Sequence, residues 1–258
     1  MRTAKARSGP PTSDDAVVVG LDGGYVRDRH RRPARTFEVV AGQIRTGGTK
    51  VTRFAFVRAG RWAGAEAMTQ ALRDHGVRSD ARVTVLTDGD PGLRAIQRAA
   101  LPDAHPVLDW FHIAMRWQHL HQLATGAGRH GLSAEARTWL LNRIGRGKWA
   151  LWNGQLPKTR RHLSDLLDWT WTAQADLSWL ARVNKHVGEL LSYLNANADS
   201  LPNYGARYCA GQPISTTFAG SPVNAIVARR DQEAANDVEP THRSTVPGGS
   251  RRRPERHA

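Results

Sequence analysis

The sequence predicts an α/β fold, a mixed sheet with helices on its faces, joined to an all-helical region. Three observations lead there. Apolar, β-branched runs of strand length occur at 16–21, 37–44, 52–57, 83–86 and 105–108. The first three follow one another over short links, whereas the last two alternate with helical spacing. From residue 133 to about residue 200 strand signals vanish and apolar residues recur at helical period. Strands in a row followed by strands alternating with helices fit a mixed sheet covered by helices.

Composition narrows the partners. The chain has 258 residues, 40% of them hydrophobic, so a packed core is within reach. A formal net charge of +14 points to a polyanion, nucleic acid first and an anionic membrane surface second. Cys209 is the single cysteine. It can form neither an intrachain disulfide nor a Cys-based zinc site, which suits a reducing compartment. No run of roughly 18 apolar residues is present, so no membrane span is expected. The N-terminus lacks the apolar core of a signal peptide. The expected location is cytoplasmic, nucleoid-associated when bound to DNA.

Residues 1–15 are polar and rich in Pro, Gly and Ser, and are expected to be disordered. Ala16 to Leu21 reads as a buried central strand ending at Asp22-Gly23-Gly24. Asp22 is either a simple turn residue or a functional carboxylate. Phe37 to Ile44 and Thr52 to Val57 complete a meander, with Thr46-Gly47-Gly48 between them. Trp62, Ala65, Met68 and Leu72 mark an amphipathic helix stopped by Gly76. Val83 to Leu86 is the next strand, and Asp88-Gly89-Asp90-Pro91-Gly92 is a dense turn signal after it. Leu93, Ile96 and Ala100 recur at helical spacing, then His105 to Leu108 forms a strand closed by Asp109. A ribonuclease H-like core has this order: a three-strand meander, then two parallel strands on the far side of the first. That topology brings Asp22 and Asp88 to the ends of adjacent strands, with Asp109 one strand further out. Chemistry in open α/β sheets gathers at such carboxyl ends.

Phe111 to Leu123 continues as a helix bearing His112, His119 and His121. His119 and His121 are two apart and face different sides, which argues against a zinc cluster. His112 lies three residues after Asp109 and is the better functional candidate. Gly126 to Gly131 reads as a loop and Ser133 as an N-cap. Three helices follow, marked by Trp139, Leu140, Ile144 and Trp149, by Leu163, Leu166, Leu167 and Trp171, and by Leu177, Leu180, Val187, Leu191 and Leu194. Six of the nine tryptophans fall between 139 and 179 and read chiefly as helical core, with base stacking the alternative. Lys148, Lys158, Arg160, Arg161, Arg182 and Lys185 make either a DNA-binding, phosphate-contacting surface or an ordinary solvated face. Pro202 to Pro213 reads as a loop, Val223 to Arg230 has helical spacing, and 231–258 is expected to be disordered. The divisions are therefore 1–15, a core at 16–124, a helical insertion at 125–212, a last core helix region at 213–230 and a tail at 231–258.

Val19-Gly20-Leu21-Asp22-Gly23-Gly24, Leu86-Thr87-Asp88-Gly89, Leu108-Asp109-Trp110-Phe111-His112 and Ile214-Ser215-Thr216-Thr217-Phe218 together resemble insertion-sequence transposases of the ISKra family. Those stand with the Mutator-like and related DDE transposases. The resemblance covers about residues 16–230 in the right order. It implies a ribonuclease H-like domain interrupted by an all-helical insertion, and an acidic triad holding two divalent metals, Mg2+ or Mn2+. The metals activate water or a DNA 3′-hydroxyl for in-line attack on phosphorus. It assigns Asp22 and Asp88 as the first two carboxylates and implies transposon-end DNA as substrate; a homo-oligomer is kept as a further partner, with the oligomeric state left open.

The family pattern continues from Ile-Ser-Thr into a helix opening on a Val-Glu-Ser type sequence. Here Ala219-Gly220-Ser221 stands in that place, so Gly220 occupies the position of the third carboxylate. Asp231 and Glu233, on a continuing helix, would lie roughly 16–20 Å further along and cannot replace it. The resemblance also leads one to expect a DNA-binding segment before residue 16 and a longer final helix; the tail after Arg230 fits a frameshifted reading. The expectation is a transposase fragment that binds DNA and has lost catalysis. Two alternatives stay open: an active enzyme recruiting Asp90 or Asp109 as third ligand, and a non-enzymatic basic nucleic-acid-binding protein on a similar core. A Ser/His/Asp hydrolase is set aside, since no Gly-x-Ser-x-Gly elbow exists.

Overall fold

The computed structural model describes residues 17–27, 36–47, 50–58 and 61–216. The strands are β1 (Val17–Arg27), β2 (Thr36–Arg45), β3 (Val51–Val57), β4 (Val83–Thr87) and β5 (His105–Leu108). Helix α1 (Arg61–His75) precedes β4, α2 (Pro91–Ala100) links β4 to β5, and α3 (Trp110–Thr125) follows β5. Then come α4 (Ala134–Trp152), α5 (Leu156–Thr172), α6 (Leu177–Ala196) and α7 (Tyr204–Cys209). None of the described helices is long and apolar enough to cross a membrane.

The five strands form one mixed sheet in the order β3-β2-β1-β4-β5. The β1–β2 and β2–β3 pairs are antiparallel, and the β1–β4 and β4–β5 pairs parallel. A meander plus two parallel strands beyond β1 is the arrangement the element order predicts.

Alternation along β1 sorts the core into two layers, because successive side chains point to opposite faces. Val17, Val19 and Leu21 pack with Val40, Ile44 and Val85 against Met68 and Leu72 of α1 and Leu93 and Ile96 of α2. Val18, Leu86 and Val107 face the other way. They join one continuous cluster with Ile113, Trp117 and Leu120 of α3, and with Leu140, Leu163, Trp179, Val187 and Leu194 of the later helices. The helical region therefore packs directly on the sheet. Its helices approach closely at Gly147, where an added Cβ would lie 2.8 Å from the Trp117 ring and 3.3 Å from His162.

The caps follow the sequence. Ser133 accepts a hydrogen bond from the Ala136 amide at the start of α4, and Asp176 accepts from the Ser178 and Trp179 amides at the start of α6. Gly76 ends α1 at φ +88°, a conformation glycine adopts without steric cost.

Four expectations are corrected. β1 does not stop at Asp22, because β2 goes on pairing with it from Leu21 to Arg27 after the parallel pairing with β4 ends at Gly20. The segment expected as a loop at 202–213 contains α7, capped by the Asn203 side chain and anchored by fully buried Tyr204. The expected loop at 126–131 contains a 3-10 turn, Ala127–His130. Trp149 and Trp171 are exposed, at 66% and 83%. The buried stripe of α4 runs through Leu140, Ile144, Gly147 and Leu151, and that of α5 through Leu163, Leu166 and Thr170, so both tryptophans fall outside it.

Candidate acidic site at the strand ends

Register places the aspartates. Gly20 pairs with Leu86 across β1 and β4, and Leu86 with Val107 across β4 and β5. Two residues further along each chain stand Asp22, Asp88 and Asp109. They continue that register as a row past the last parallel pairs, with Asp22 still inside β1 and Asp88 and Asp109 directly after β4 and β5. Asp22, inside β1, shares the sheet face of Val18 and Gly20, since residues two apart along a strand point the same way. The Asp109 amide donates to the Thr87 carbonyl at 2.8 Å and carries the ladder into this row.

The three carboxylates have different fates. Asp88 is half-buried at the β4–α2 turn, and its side chain accepts a hydrogen bond from the Asp90 amide at 2.8 Å. Burial is the main influence and pushes its carboxyl above the ordinary carboxylate range. The Asp90 and Asp22 carboxylates push the same way, while the Asp90 amide and His112 oppose them. Asp22 and His112 therefore both lie within electrostatic reach of Asp88. His112 sits in the first turn of α3 with its ring edge-on to Phe111 at 5.7 Å between centroids.

Asp109 is 1% exposed and fully engaged. One oxygen accepts from the Phe111 amide at 2.7 Å and caps α3; the other accepts from both the amide and the hydroxyl of Thr216. Asp90 is engaged as well. It caps α2 through the Gly92 and Leu93 amides and pairs with Arg58 at 3.2 Å. Neither can turn toward a metal without unmaking a helix start.

The Ile214-Ser215-Thr216 motif reaches this row. The Ile214 carbonyl accepts from the Trp110 amide at 2.9 Å, and Thr216 packs on Gly20, where an added Cβ would come within 2.9 Å of its methyl group. Gly20 is thus required by close approach rather than by a turn. Thr217, Phe218 and Gly220 lie outside the described residues.

The helical region braces the same turn, through residues the sequence offered no signal for. Tyr193 of α6 donates to the Asp88 carbonyl at 2.7 Å, and Arg116 lies 4.1 Å above its ring. Gly89, at φ +87°, has Asn197 and Leu108 so close that an added Cβ would come within 2.9 Å of both. Buried Arg94 of α2 reaches Asn197 at 3.1 Å and both oxygens of Asp199, at 2.8 and 2.7 Å. Tyr204 donates to the Leu108 carbonyl at 2.8 Å.

The six basic candidates are spread over three helices: Lys148 on α4, Lys158, Arg160 and Arg161 on α5, Arg182 and Lys185 on α6. Arg160 donates to Asn195 at 2.7 Å and Lys185 pairs with Glu189 at 3.8 Å, so those two already have protein partners.

Among the described residues no group of three or more His, Cys, Asp or Glu side chains is arranged to hold a metal ion. Asp22 and Asp88 supply oxygen donors of the kind Mg2+ and Mn2+ prefer. The two lie within electrostatic reach of each other, and Asp90 and Asp109 are already engaged as helix caps. No protein-family model matches the chain, and no curated protein matches it.

Proposed function

We propose that the chain is the catalytic part of a DDE transposase of the ISKra type, built on a ribonuclease H-like core for phosphoryl transfer on double-stranded DNA and impaired at its third carboxylate. In this reading 16–124 and 213–230 form the core, and 125–212 is the helical insertion. The observation that carries it is the row of Asp22, inside β1 just past its last pair with β4, and of Asp88 and Asp109, directly after β4 and β5, on a sheet of order β3-β2-β1-β4-β5. Transposase identity, DNA as substrate and metal dependence come from the motif resemblance; the row of aspartates supports the reading.

Asp22 and Asp88 are the metal-holding pair, with His112 at the edge of the pocket. Bound Mg2+ or Mn2+ supplies a polarised phosphorus and an activated water or 3′-hydroxyl. Asp109 is assigned away from the metal, as the tether that brings Thr216 to the row. Gly220, where the family carries its glutamate, follows the tethered Thr216 by four positions in sequence. The engagement of Asp90 and Asp109 weighs against an active enzyme that recruits either one. A net charge of +14 supports DNA binding, and a working homo-oligomer at transposon ends goes with this reading.

The test is nicking and strand transfer on duplex DNA with Mg2+ and Mn2+. The expected result is no cleavage by the unmodified chain, a large gain with Gly220→Glu, and loss of that gain when Asp22→Ala is added. A folded Gly220→Glu chain that stays inert while binding DNA would move the assignment to a non-enzymatic nucleic-acid-binding protein. Nicking by the unmodified chain that disappears in Asp22→Ala would show that two carboxylates suffice.

A further inference from the structure

A second feature lies between α3 and α6, among helices that the acidic row does not use. A groove of about 450 Å3 is lined by His119, Gln122, Leu123, Gly126, His130, Trp179, Arg182 and His186. The spacing explains the convergence. His119, Gln122 and Gly126 recur at three and four residues on α3, and Trp179, Arg182 and His186 do the same on α6. Trp179 is buried and forms the floor, with the His130 ring stacked flat on it at 5.7 Å and 13°. His119 and His186 stand across from each other, one from each helix, with ring centroids 6.4 Å apart.

The lining carries no carboxylate. Arg182 makes no ion pair with any described residue and is exposed. Two acids lie at its edge: Asp176 caps α6 through Ser178 and Trp179, and Glu189 sits 3.8 Å from Lys185 and 3.5 Å from His186, so Arg182 is the lining cation without an acidic partner among the described residues. One guanidinium, three imidazoles and an amide therefore surround a volume with no anion of its own. Each can donate a hydrogen bond, and the guanidinium fork matches a phosphate geometrically. The volume exceeds what a lone oxyanion fills and suits a sugar–phosphate unit.

We infer that the α3–α6 groove is a binding site for the phosphodiester backbone of a nucleic-acid strand, with Arg182 as its charged anchor and His119, His130 and His186 as further donors. It is independent of the metal chemistry at the acidic row. The two sources of the same phosphate chemistry, a strand or free inorganic phosphate, are separated by the experiment.

The experiment uses the full chain and a fluorescently labelled duplex of arbitrary sequence, titrated at several salt concentrations by anisotropy. Variants are Arg182→Ala, Arg182→Ala with His186→Ala, and Arg182→Lys. Expected results are an affinity loss of about tenfold for Arg182→Ala and a salt slope lower by about 1. The double variant should lose more, Arg182→Lys should regain part, and all thermal midpoints should stay unchanged. Millimolar inorganic phosphate should compete only weakly. Unchanged affinity and slope in all three folded variants, or no DNA binding by the unmodified chain, would overturn the inference. Phosphate binding that the variants abolish while DNA affinity stays constant would make the groove a small-anion site instead, and also overturn it. Inert Gly220→Glu with intact groove effects would sink only the catalytic reading.

Discussion

The Tyr193 hydroxyl donates a 2.7 Å hydrogen bond to the main-chain carbonyl of Asp88, 105 residues away in sequence. The acceptor belongs to the residue whose carboxylate lies within electrostatic reach of Asp22. A helix far along the chain thus fixes the backbone from which the candidate metal ligand projects. Asn197 against Gly89 and Arg94 between Asn197 and Asp199 hold the same turn from its other side.

Tyr193→Phe removes that donor and keeps the ring under Arg116. The expected cost is about 1–2 kcal/mol, since a partly buried carbonyl loses its partner. Urea unfolding measures it. Amide hydrogen exchange at Gly89 and Asp90 should speed up while exchange in β1 stays slow. Unchanged exchange at those two amides would mean that Asn197 and Arg94 hold the turn without Tyr193.

Asp109→Ala removes the α3 cap and both contacts to Thr216, so a loss of about 2–4 kcal/mol is expected. Gly20→Ala reaches the same segment from beneath, pushing on the Thr216 methyl with little change to the core. Both variants should expose the chain after Ile214 to proteolysis. If Gly20→Ala leaves that cleavage unchanged, the packing of Thr216 on β1 does not hold the segment.

Asp88→Asn should raise the thermal midpoint at neutral pH. Burial holds the folded pKa of Asp88 above its unfolded value, so the native state binds the proton more tightly. Its contribution to stability is full below the unfolded carboxylate pKa and is lost as pH rises through the raised folded value. Asparagine keeps the acceptor for the Asp90 amide and removes the charge. Midpoints measured across that pH range should diverge upward for the variant. Mn2+ should raise the midpoint of the unmodified chain and not of the variant. Equal midpoints at every pH would contradict this account of Asp88.

Arg94→Ala should cost about 2 kcal/mol or more, because it strips two charge-assisted hydrogen bonds and leaves Asn197 short of a donor. Arg94 also holds the Asp199 carboxyl below its ordinary value, chiefly by hydrogen bonding. That stabilisation is present above the unfolded pKa of the carboxylate and is lost as pH falls through its lowered folded value. Acid unfolding should therefore be less steep in the variant. A variant that unfolds along the same pH curve would show that Asp199 does not feel Arg94.

The order of elements and the positions of Asp88 and Asp109 after β4 and β5 were legible in the sequence. Strand and helix periods, Asp-Gly turns and caps are written in neighbouring residues, and side-chain direction follows from period alone. Ser133 as a cap and Gly76 as a stop needed no more than that. Trp149 and Trp171 were misplaced because counting apolar residues does not say where a narrow buried stripe stops. The strand beyond Asp22 was missed because β2, and not the double glycine, decides where β1 ends.

What the aspartates do was decided by tertiary structure. An Asp before a helix reads the same as a cap or as a ligand, and only distant partners separate the two. Thr216 engages Asp109, Arg58 engages Asp90, and burial with Asp22 and His112 nearby sets Asp88 apart. Sequence by itself determined the order of the elements and that Asp88 and Asp109 follow β4 and β5, because strand and helix periods and turn residues are local patterns. Burial and hydrogen bonds spanning a hundred residues decided that Asp109 serves as a tether and cap and Asp90 as a cap, because those energies depend on groups that meet only when the chain folds.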